Sequence, residues 1–299
     1  MQQDSTPAPV RGALFYTAKL LLLVTVAPAL QAALGGAGSV VNQVLFSLGL
    51  ALAFVHYGEH RSPREVFRLH RLTARAVVRS VLLGLCALAL VQALGALTTL
   101  LVEQTGGKML QYYNVSGVPF VIALLVLGIV PPVCEEVAYR GYLQQALVPL
   151  GPRAGVVVTA LLFGAMHFSL IRLMPLALLG LIFGATVQRS GSLYSSMIMH
   201  FVNNAAALGL TYYATGIPSL TTLGFPVLIG SVVVLGGLAW LLVRSFGPAD
   251  LAGAPPEAGH APADLPRLAV YAMLAVLVPA ILIYAYAASS ELAAVFGGR

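Results

Sequence analysis

The sequence predicts an all-α, polytopic transmembrane bundle of eight or nine spans. Three observations carry that prediction. The 299 residues are 59% hydrophobic and 9% charged, with a mean hydropathy of +0.91; a soluble domain carries about 25% charged residues. Apolar runs close to the ~20 residues a helix needs to cross hydrocarbon recur from end to end. Positive charges gather in the connections between runs, as membrane topology demands.

The spans fall at about 14–34, 40–57, 76–102, 118–149, 154–170, 172–189, 192–213, 223–244 and 267–288. Polar, Pro-containing residues precede the first, and Arg11 and Lys19 flank it, which reads as a retained signal-anchor. The second is short. Arg61, Arg64, Arg68, Arg71 and Arg75 fill the loop 58–75 and assign it to the cytoplasm, which puts the N-terminus inside and loop 103–117 outside. Arg153, Arg189 and Arg244 then also fall on cytoplasmic ends. The run 118–149 is long for one crossing and continues as an amphipathic or interfacial turn. The pair 154–170 and 172–189 is tightly joined. Gly180 and Gly184 make a small-xxx-small pair suited to close helix packing. The stretch 246–266, with Pro248, Pro255, Pro256, Pro262 and Pro266, reads as a flexible cytoplasmic linker. The chain thus divides into N-terminal helices (1–117), a core (118–213) and C-terminal helices around the linker (214–299).

Composition also bounds function. The net charge of +6 is a topology signal and implies no nucleic-acid partner. Cys86 and Cys134 both lie in apolar runs, so they mark neither a disulfide framework nor a zinc knuckle. The chain has 10 acidic residues, yet Glu135 and Glu136 sit side by side in an apolar span. An ionised carboxylate at that depth costs at least about 2.5–3.5 kcal/mol on insertion scales, so it is paired, hydrated or functional.

Glu136 and Arg140 are four residues apart and stack on one helix face as an ion pair. Glu135 points about 100° away and has no local partner, which suits a group that takes and returns a proton. The bland alternative is that both acids only hold neighbouring helices together. Phe163 and His167 share a face one turn apart; such a histidine serves either packing or chemistry. His200 and Asn204 converge in the same way, as two neutral donors for an oxyanion, as a metal ligand and its support, or as an interhelical hydrogen bond. Asn203 faces elsewhere. Pro131-Pro132 bends the helix just before the acids and exposes backbone to a wet cavity. Cys134, Tyr139 and Tyr142 read as packing groups. A proton-relay transporter is the rival from another class.

Glu135-Glu136-Val-Ala-Tyr-Arg140, Phe163-xxx-His167 and His200-xxx-Asn204 together resemble the three motifs of the CPBP family (CAAX proteases and bacteriocin-processing enzymes, or Abi) over roughly residues 118–213. The resemblance implies a helical intramembrane endopeptidase that cuts near the C-terminus of a membrane-associated protein or peptide substrate. It implies Glu135 as general base with His167 assisting, His200 and Asn204 as the oxyanion hole, and Glu136 and Arg140 as structural. A non-catalytic immunity or scaffold member of the family is the second alternative. Two imidazoles and a carboxylate (Glu135, His167, His200) also match a three-ligand zinc site. No HExxH is present, and Glu136 is better used against Arg140, so a metal-free mechanism is favoured. The Ala/Leu/Gly/Arg-rich composition points to the inner membrane of a high-GC bacterium, where clipping a sorting tail is the favoured role and prenylated CAAX processing another.

Overall fold

Seven helices among the described residues are long and apolar enough to cross a bilayer. The computed structural model describes residues 6–59, 61–110, 115–214, 218–253 and 267–297. In chain order the helices of eight residues or more are α1 (Ala8–Thr25), α2 (Ala27–Leu34), α3 (Gly36–Glu59), α4 (Ala74–Gln104), α5 (Phe120–Leu150), α6 (Pro152–Ala165), α7 (Leu170–Ser190), α8 (Leu193–Tyr213), α9 (Leu220–Arg244) and α10 (Arg267–Phe296). The only extended pairing among those residues is one bridge, Leu72 with Leu251. The all-α polytopic bundle is therefore the observed fold.

The expected eight or nine spans become seven for two local reasons. The run 154–170 does not continue as one helix. α6 ends after 14 residues, too short to cross, and Phe168 adopts a left-handed φ of 53° that reverses the chain. Ser169 then caps α7, accepting from Arg172 N at 3.0 Å. α8 is long enough, but Ser195, Ser196, His200, Asn203 and Asn204 dilute its apolar character. Lys19 was expected to flank the first span. It lies inside α1 and is 3% exposed.

The linker also needs correction over its first part. Phe246 is 1% exposed beneath the Arg79 guanidinium, 5.0 Å from its ring centroid. Arg79 pairs with Asp250, whose carbonyl accepts from Thr73 N at 2.8 Å. Residues 246–252 are therefore pinned to the segment leading into α4; residues 254–266 lie outside the described residues.

Two apolar clusters form the core. One joins α1, α3, α5 and α6 through residues such as Phe15, Tyr142 and Phe163; the other joins α4, α7, α8 and α9 through Leu83, Phe183 and Met199. Small residues let the helices close. A Cβ on Gly180 would meet Ala160 Cα at 2.8 Å, and one on Gly184 would meet Gln144 Oε1 at 2.6 Å. The Gly180/Gly184 face thus packs α7 against α6 and α5. α10 lies along α1, with Thr17 Oγ1 donating to Val276 O at 2.7 Å. Its buried Glu291 accepts from the Ser169 hydroxyl and from Leu170 N at 2.7 Å. A carboxylate from the last helix therefore caps α7 and fixes the turn that carries His167.

Candidate active site

α5 is irregular where the chemistry lies. Its helix runs in a wide π register at Leu124–Ile129 and again at Val137–Leu143, on either side of the acids. The cause of the first distortion is visible in the sequence. The carbonyl of Leu127 would be bonded by residue 131 in an α register or by residue 132 in a π register, and both are prolines without an N–H. Asn204 Nδ2 donates to that carbonyl instead, at 3.0 Å. The carbonyl that Pro131-Pro132 leave without a backbone donor is thus satisfied by the third motif. Asn204→Ala leaves the carbonyl without its donor and is expected to cost about 1–3 kcal/mol, read as a lower unfolding temperature in detergent.

Glu136 and Arg140 are both 0% exposed, with Arg140 Nη1 donating to Glu136 Oε1 at 2.7 Å. The guanidinium lies 4.3 Å from the Phe163 ring centroid and 5.5 Å from that of Phe183, so it joins the two apolar clusters. The same Glu136 oxygen is 2.9 Å from His200 Nδ1. This contact was not expected, and it constrains His200. A carboxylate paired with arginine only accepts, so Nδ1 carries the proton and donates. A neutral His200 then has only a lone pair at Nε2. It donates to an oxyanion only as an imidazolium, contrary to the expectation of a neutral donor.

Glu135 faces elsewhere, as the helical geometry requires. Its Oε2 lies 4.0 Å from His200 Nε2, and its Oε1 accepts from Gln43 Nε2 at 2.7 Å. His167 Nδ1 donates to Phe163 O at 2.9 Å, since a carbonyl accepts. That leaves Nε2 of a neutral His167 as an acceptor. Phe163 sits between the motifs, its ring centroid 5.1 Å from His167 and 6.2 Å from His200.

Glu135, His167, His200 and Asn204 all line one cavity of about 810 Å³ between α1, α3, α4, α5, α6, α7 and α8. Glu136 and Arg140 lie behind its wall. Tyr139 lines the cavity and carries the Lys19 ammonium 4.7 Å above its ring. Tyr142 packs instead on Phe15, with ring centroids 4.9 Å apart. Cys134 is buried and free.

Sequence reasoning missed Gln43, Ser47, Arg172 and Glu291, and misread Lys19. Arg172 lines the cavity. Gln43 and Ser47 did carry a signal, because they are polar residues four apart in an apolar run, the same spacing that marks the motifs. Among the described residues no three His, Cys, Asp or Glu side chains are gathered as a metal site.

The fold and site define a multi-pass helical membrane protein with a carboxylate and two imidazoles around an intramembrane cavity. Residues 117–206 match the family of type II CAAX prenyl endopeptidase Rce1-like proteins. That match spans the stretch bearing all three motifs and is consistent with their resemblance to the CPBP family. No curated protein and no solved structure matches the chain.

Proposed function

We propose that the chain hydrolyses a peptide bond near the C-terminal or membrane-embedded part of a protein substrate, with water activated by Glu135 and His167. One observation carries the reading: four side chains from three separate motifs open onto one cavity, while the charged pair between them is sealed behind it.

Water bridges Glu135 Oε2 and His167 Nε2. Glu135 takes a proton as the water oxygen adds to the scissile carbonyl. The oxyanion that forms is held by Nε2–H of a His200 imidazolium, whose Nδ1–H is anchored on Glu136, and by the second N–H of the Asn204 amide. Such donors are worth about 3–4 kcal/mol each when aimed at developing charge. Glu135 then returns its proton to the leaving nitrogen, and the carbon–nitrogen bond breaks to give an amine and a carboxylic acid, whose remaining proton passes to the amine to leave an ammonium and a carboxylate.

The N-terminus is assigned to the cytoplasm of a bacterial inner membrane. Support comes from one basic end of the bundle. Arg11 Nη2 is 3.1 Å from Glu59 Oε2, and Arg189 Nη2 donates to Arg244 O at 2.8 Å. Arg68 O meanwhile accepts from Leu193 N at 3.0 Å. The substrate class favoured is a surface protein whose membrane tail is clipped.

Comparative proteomics of C-terminal fragments in wild-type and Glu135→Ala strains tests the reading. Fragments present in the first and lost in the second support it; identical fragment sets would overturn it. Metal analysis of the purified active protein tests the metal-free mechanism. Stoichiometric zinc, with activity lost on chelation and restored by zinc, would replace it.

A further inference from the structure

A second chain of polar groups reaches Glu135 from helices outside the matched segment. Lys19 Nζ on α1 donates to Ser47 Oγ at 2.8 Å, Ser47 Oγ donates to Gln43 Oε1 at 2.9 Å, and Gln43 Nε2 donates to Glu135 Oε1 at 2.7 Å. The direction is forced. Glu135, as a carboxylate, only accepts, so the Gln43 amide nitrogen faces it and the amide oxygen faces Ser47. The single hydroxyl proton of Ser47 is spent on that oxygen, so Ser47 accepts from Lys19. Every donor points towards Glu135, and hydrogen bonds in series polarise one another. Lys19 is 3% exposed and Ser47 2% exposed. An ammonium so placed is retained only with acceptors and counter-charge nearby.

We infer that Lys19, Ser47 and Gln43 are positioning residues that carry the charge of Lys19 to Glu135, hold its Oε1 and leave Oε2 free for the nucleophilic water. The inference rests on the proposed role of Glu135. The other charged and titratable groups around Glu135 have separate duties. His200 is anchored on the Glu136–Arg140 pair behind the wall, and His167 is anchored on the Phe163 carbonyl. Arg172 lines the cavity on α7. The relay accounts for a lysine inside the first apolar helix, which a signal-anchor does not need.

The test does not require a substrate. The infrared difference between wild type and Glu135→Gln, taken at one pH in detergent, assigns the carboxylate band of Glu135. Lys19→Met, Ser47→Ala and Gln43→Leu are each expected to move that band. The Lys19→Met/Gln43→Leu double variant should move it no further than Gln43→Leu alone, and Lys19→Arg should return it towards the wild-type position. Ser39→Ala, a cavity residue bonded to Gln31, should leave it in place. In a cleavage assay on a fragment found by the proteomic comparison, the same variants should lower kcat about tenfold to hundredfold with KM unchanged. Ser47→Ala removes only a hydroxyl, so it stands in if Lys19→Met fails to fold. A Glu135 band that stays put in folded Ser47→Ala or Lys19→Met overturns the relay, even in a protein that cleaves. A band that moves in a protein with no cleavage activity upholds the relay and overturns the protease reading instead.

Discussion

Glu135→Gln is expected to lower kcat by about a hundredfold to ten-thousandfold, the usual contribution of a positioned general base, while the protein still accumulates folded. The structure separates these two effects. Gln43 donates to Glu135 Oε1 at 2.7 Å, and the amide oxygen of a glutamine at 135 accepts the same bond. The buried Glu136–Arg140 pair is untouched, and the side chain at 135 faces a cavity with room for water. Only the capacity to take a proton is lost. Turnover of purified protein, set beside its unfolding temperature, checks this. Near-normal turnover in the folded variant would remove Glu135 as the base.

Arg140→Met is expected to have the opposite signature, a fall in folded protein of which lost activity is a consequence. Glu136 is 0% exposed and its Oε1 accepts from both Arg140 and His200. Deleting the guanidinium takes from a buried carboxylate its arginine counter-charge and leaves His200 as its donor; breaking a buried ion pair costs about 3–5 kcal/mol. It also removes the cation that stacks on Phe163 and Phe183 and joins the two core clusters. Lysine is a poor replacement, because a point charge does not reproduce a planar guanidinium between two rings. Replacing both partners, Glu136→Leu with Arg140→Met, should recover part of the stability, since no lone charge remains. Cleavage should not return, because His200 then lacks the carboxylate that holds its Nδ1–H. Membrane abundance and thermal unfolding of the single and double variants read the first effect, and turnover reads the second. A double variant that cleaves normally would reduce Glu136 to a packing role.

Much of the site was legible because its pairs are local. Spacings of four residues on a helix bring Glu136 to Arg140 and Phe163 to His167 whatever the rest of the chain does. The same rule turned Glu135 away from Glu136. The groups that hold Glu135 were not legible, because Gln43, Ser47 and Lys19 reach it from α1 and α3 across the bundle. Nor was the link from Glu291 to the turn after His167, which joins residues 122 apart in sequence. The short α6 was misread because hydropathy does not register a left-handed residue at Phe168. Asn204 lies between these cases. The prolines at 131 and 132 announce an orphaned carbonyl, but only the packing of α8 on α5 says which side chain answers it.

By itself the sequence determined an all-helical membrane chain and the three helical faces that carry acid, imidazole and amide, since hydropathy and the 3.6-residue period act within one segment. The tertiary structure decided which helices reverse before crossing, and which distant donors hold Glu135, His167 and His200. Those choices belong to packing, because in a medium without water each buried polar group takes its partner from whichever helix comes to lie beside it.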